Sequence, residues 1–118
     1  EMIVALMLGG LFLGIVMGMW FPWAISISYA PFLSVAIMAC LDSVFGGVRS
    51  YMEGKYDHTI FFSGFFVNAL VAMLFVFIGS RLGIDIYYVA LLSFGLRIFD
   101  NTAAIRRIWL NERKTGVR

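Results

Sequence analysis

Apolar residues run along this chain in long blocks that no charge interrupts. Between Met2 and Leu41 there is no Asp, Glu, Lys or Arg, and Thr59 to Ser80 is a second uncharged run. A helix rises about 1.5 Å per residue, so about 20 apolar residues cross a hydrocarbon core of about 30 Å. Both runs are long enough, and the first is long enough for two crossings. Trp20, Pro22 and Trp23 divide it, because tryptophan favours the membrane interface and proline stops a helix. Pro31 then suits the first turn of the next helix, where its missing N–H is not needed.

The predicted fold is all-α: one domain over residues 1–118, with four transmembrane helices at about 3–21, 30–49, 59–79 and 86–107. Gly46 to His58 is the sizeable polar connection, and Gly79-Ser80-Arg81-Leu82-Gly83 reads as a short turn. A three-span alternative makes one of the second helices re-entrant. Superimposing Tyr87 on Tyr29 also aligns Leu91 with Leu33, Asp100 with Asp42 and Arg107 with Arg49. The four helices therefore read as two tandem hairpins, parallel copies about an axis along the membrane normal.

Composition supports the membrane reading. The chain is 62% hydrophobic and 14% charged, with a mean hydropathy of +0.93. Soluble domains hold roughly 45–50% apolar and about 25% charged residues. A cleaved signal peptide would be followed by a soluble body, and here further apolar spans follow instead. Glu1 in place of Met is expected of a trimmed terminus. Arg49 and Lys55 mark the middle connection, while Arg106, Arg107, Arg113, Lys114 and Arg118 form a basic tail over 106–118. The 22–30 turn has no Lys or Arg and the 80–86 turn has only Arg81, so both termini are expected on the cytoplasmic side. The net charge of +2 resides mostly in that tail, where anionic headgroups are its cheapest partner. No aromatic or motif pattern accompanies it to suggest nucleic acid.

Candidate chemistry is sparse. Cys40 is the single cysteine and reads as a small apolar residue; His58 is the single histidine, without clustered ligands or a nucleophile in catalytic spacing. No enzyme, metal or cofactor is expected. Two patterns remain. Gly10, Gly14 and Gly18 fall on one face of the first helix, and Gly64, Asn68 and Ala72 on one face of the third. Glycines four apart admit a second backbone closely, so these stripes are expected to pack the first helix on the third or to form a homo-oligomer interface. The other pattern is ionic. Asp42, Arg97 and Asp100 lie within apolar spans, where a charge costs on the order of 2.5–3.5 kcal/mol and needs a partner. Asp42, Gly46, Arg49 and Glu53 share one helix face, as do Arg97, Asp100, Asn101 and Arg107, so Asp42 is expected to pair with Arg97 or Arg107, and Asp100 with Arg49.

Several motifs together resemble a known family. They are Tyr29-Ala30-Pro31-Phe32-Leu33-Ser34, Leu41-Asp42-Ser43-Val44-Phe45-Gly46-Gly47-Val48-Arg49, Glu53-Gly54-Lys55, Ser63-Gly64-Phe65-Phe66-Val67-Asn68 and Arg97-Ile98-Phe99-Asp100-Asn101. In this order, over roughly residues 3–107, the chain resembles the bacterial small basic protein family. The resemblance implies a bacterial plasma-membrane protein of Gram-positive and related lineages, often encoded near cell-division genes. It brings no catalytic residues. The function expected is a non-enzymatic membrane scaffold or assembly factor, with the bilayer, further copies of itself and other membrane or division proteins as partners. The alternative is a small transporter or channel subunit using the intramembrane charges.

Overall fold

A computed structural model of the chain describes residues 2–20 and 27–115. Four α-helices account for nearly all of them: α1 (Met2–Trp20), α2 (Ala30–Met52), α3 (His58–Leu82) and α4 (Tyr87–Thr115), with a single 3-10 turn at Ile27–Tyr29 before α2. The all-α expectation holds, and α1, α2 and α3 are long and apolar enough to cross a membrane. The turn expected at 22–30 lies mostly outside the described residues.

Three helix ends differ from the expected ones: α4 runs on to Thr115, past the expected 107, and two others share one physical reason. Gly46 and Gly47 read as the start of a loop, yet α2 continues to Met52. Gly47 is there for closeness: a Cβ on it would stand 2.8 Å from Phe61 Cε1 of α3 and 2.9 Å from the Met7 terminal methyl of α1. Gly79 likewise lies inside α3, and a Cβ on it would meet the Ile84 carbonyl oxygen at 2.5 Å, because the chain folds back across it. The true stop is Gly83, whose φ of 73° is readily adopted only by glycine. Its N–H and that of Ile84 both donate to the Gly79 carbonyl, closing the helix. At the other end of α3, the Asp57 carboxylate caps the helix by accepting from Ile60 N–H at 3.1 Å. Pro31 occupies the first turn of α2, as expected.

Helix α2 is the hub, packing on α1, α3 and α4, with its largest contact to α4. Val35, Ala39, Ala72, Val76, Ala90 and Phe94 form the core between α2, α3 and α4. Among the described residues, four of the eight buried apolar ones are alanines, Ala39, Ala72, Ala90 and Ala104, so the helices approach closely and gain dispersion contacts. The large side chains point outward, with Phe12 70%, Ile60 70% and Phe99 75% exposed. A soluble fold arranges its residues the other way round, so this inversion is compatible with a lipid surrounding.

Helix α1 does not meet α3 in a helix contact. The expected packing of the first helix on the third is therefore corrected: the two approach only through side chains, Met7 and Phe61 converging over Gly47 of α2. Ala72 on the α3 stripe is buried in the core with α2 and α4, while Gly64 and Asn68 are half-buried. Gly10, Gly14 and Gly18 on α1, and Gly64 on α3, have nothing within 4 Å of the position a Cβ would take.

Candidate functional site

Val35, Ala39 and Asp42 follow one another at helical spacing down the buried face of α2, so the core stripe itself carries the acid inward. Asp42 is the buried charged residue among the described residues, 3% exposed near the middle of α2. Its Oδ2 accepts an ion-paired contact from Arg97 Nη2 of α4 at 3.0 Å. Its Oδ1 is buried and has no hydrogen-bond partner among the described residues. Arg97 is in a different setting, with half of its side chain exposed.

A helical turn or two towards the C-terminus of α2, Arg49 holds a second tie to α4. Its Nη1 donates to Asn101 Oδ1 at 3.2 Å, and its Nε donates to Glu53 Oε2 at 3.2 Å. Gly46 faces the same amide, since a Cβ there would stand 3.4 Å from Asn101 Nδ2. Gly95 stands against Met38, Arg97 against Asp42 and Asn101 against Gly46, so the two helices run in the same direction.

The expected pairing is thus half realised. Asp42 takes Arg97, and Arg107 is exposed and apart from this pair. The expected Asp100 to Arg49 pair is not made. Successive residues of a helix point about 100° apart; Asn101 turns towards α2, so Asp100 turns outward. It is exposed and makes no ion pair among the described residues. Glu53, which takes Arg49, was legible in the four-residue spacing of an acid and a base on one helix face.

Two polar grooves border this interface, and Arg97 lines both. One, of about 240 Å³ between α2, α3 and α4, is lined by Asp42, Ser43, Asn68 and Arg97 and extends to Lys55 and Asp57 at the α2–α3 connection. The other, of about 400 Å³, is lined by Arg49, Glu53, Arg97, Asp100 and Asn101. His58 is engaged at the surface, its Nδ1 lying 3.0 Å from the Tyr56 hydroxyl. Cys40 is exposed on α2 rather than packed. No group of three or more His, Cys, Asp or Glu residues gathers in metal-ligating geometry among the described residues.

Residues 25–110 match the protein family of unknown function DUF1290. The chain belongs to this family. The "Small basic protein" of Bacillus subtilis (strain 168) is 43% identical over 98 residues, covering 83% of this chain and 81% of its own. An uncharacterized protein of Mycobacterium tuberculosis (strain ATCC 25618 / H37Rv) is 41% identical over 102 residues, covering 85% and 84%. A protein of Mycobacterium bovis (strain ATCC BAA-935 / AF2122/97) matches to the same extent. No solved structure matches the chain. This DUF1290 chain is a bacterial small basic protein by family, as its motifs indicate.

Proposed function

We propose that this DUF1290 protein is a non-enzymatic membrane scaffold that crosses the bilayer four times and assembles with further copies of itself, in the service of the bacterial envelope or of division. The observation that carries this reading is the state of α1. Among the described residues it packs on α2 alone, contains no buried residue, and presents Gly10, Gly14 and Gly18 to open space. A helix so weakly held by its own chain gains packing from another. The Asp42–Arg97 pair supports an architectural role for the deepest charge, since it ties α2 to α4.

Gly14→Leu tests the assembly. Nothing lies near Gly14 within the chain, so the substitution should leave thermal unfolding unchanged while weakening self-association about tenfold in lipid nanodiscs, because a branched side chain cannot enter a glycine seam. Unchanged oligomer mass would remove α1 from the interface. Topology has its own test, with exposed Cys40 replaced by Ser. Asp85→Cys should react with an impermeant maleimide on intact cells, and Lys55→Cys only after permeabilisation. Labelling of both from one side would refute the four spans.

A second reading, a solute or proton path, draws on the polar groove that reaches Asp42 from the α2–α3 connection. Against it stands the arginine already paired with that acid, since a conducting carboxylate must exchange its partner.

A further inference from the structure

An ion on the outer surface of α4 lacks a counter-charge, and the contact between α2 and α4 shows how this fold pairs such an ion. Asp100 is exposed and makes no ion pair among the described residues. It stands about one helical turn beyond Asp42, near the level of Gly46, because Arg97 lies against Asp42 and Asn101 against Gly46. In the four-span reading, on which this step rests, that level is deep in the hydrocarbon, where a lone carboxylate is disfavoured. In the superposition of the two hairpins Asp100 corresponds to Asp42, and Arg97 corresponds to Ala39, which is buried and uncharged. Among the described residues, then, one acid of the repeated pair has a base within ion-pairing distance and the other has none.

The surface around Asp100 has the composition to receive a second copy. Val89, Ser93, Leu96, Asp100 and Arg107 recur at helical spacing on one face of α4, and all are exposed. Arg97 borders this strip with half its side chain exposed, although one of its nitrogens is held by Asp42. Acid and base thus lie three residues apart at one edge of the same helix. A two-fold contact between parallel α4 helices sets Arg97 of each copy beside Asp100 of the other, and the symmetry forms the pair twice. In that contact Arg97 of one copy is about one helical turn from Asp100 of the other, a distance an arginine side chain spans. A guanidinium carries five N–H donors, enough to serve Asp42 and a second carboxylate together.

We propose that α4 is a self-association surface on which Asp100 of one copy is paired by Arg97 of another, repeating between copies the Asp42–Arg97 contact made within each. The test uses the whole chain with Cys40→Ser, in bilayers, with two differently tagged copies. On mild oxidation Leu96→Cys should give a disulfide-linked dimer, and Thr102→Cys, exposed on the far side of α4, should not. Asp100→Arg should weaken association between two variant copies at least tenfold, while a variant copy and an unmodified copy associate more tightly than two variant copies, because the mixed pair keeps one Asp100–Arg97 contact. A misfolded variant would lose both pairings, so retention of the mixed pair is the specific result. Equal association of two Asp100→Arg copies, loss of the mixed pair as well, or cross-linking through Thr102→Cys in preference to Leu96→Cys would overturn the proposal. Gly14→Cys separates this from the broader reading. A dimer through Gly14→Cys with none through Leu96→Cys defeats the α4 contact and leaves the assembly standing, and no dimer at either position defeats both.

Discussion

Arg97→Met should lower the unfolding free energy by about 3–5 kcal/mol, because it leaves the Asp42 carboxylate buried without its cation. The exposure of the two partners makes the effect asymmetric. Asp42 is 3% exposed and Arg97 about half exposed, so Asp42→Ala strands an arginine that can reach a polar groove, and it should cost less, about 1–3 kcal/mol. The double variant should be milder than the two single effects added, by about 1–3 kcal/mol of coupling. Reversible unfolding in mixed micelles measures all four corners of this cycle. Equal single effects that simply add would show that the pair in the fold contributes no specific tie between α2 and α4.

The second large effect is expected at Gly79. A Cβ there would lie 2.5 Å from the Ile84 backbone oxygen and 3.1 Å from Ile86 Cγ1. Backbone cannot swing aside as a side-chain tip can, so Gly79→Val should force the α3–α4 turn open and cost about 3 kcal/mol, the upper end for overpacking. The turn also holds two N–H groups on the Gly79 carbonyl, and their loss would free the end of α3. Gly64→Val on the same helix should be near neutral, since nothing stands within 4 Å of its Cβ position. Thermal unfolding of the two variants side by side checks the contrast, and similar losses at both positions would contradict it.

Much of this architecture was legible in the chain. Uncharged runs longer than a bilayer core located α1, α2 and α3, and of the three charges within apolar spans Asp42 and Arg97 do meet across two helices, while Asp100 does not join them. What was not legible has two causes. Glycine signals both a turn and a close approach, and sequence alone does not say which. At Gly46, Gly47 and Gly79 close approach prevails, so the helices run longer than the glycines suggest. The other cause is rotation about the helix axis. Asp100 and Asn101 are neighbours in sequence, yet only Asn101 turns towards α2, and a face defined by spacing spans more than the arc that touches a neighbour. The same arc hides which helix a small-residue stripe meets, so the spacing of the stripes on α1 and α3 did not show that they do not face each other.

The central claim is that Asp42 and its arginine hold helices together rather than carry a solute. Flux through proteoliposomes containing the unmodified protein, compared with Asp42→Asn under a pH gradient, tests it most directly. The expected result is no flux above protein-free vesicles for either protein, with weaker assembly in the Asn variant. A pH-dependent flux that is lost in Asp42→Asn while the oligomer stays intact would contradict the account and assign the groove beside Asp42 to transport.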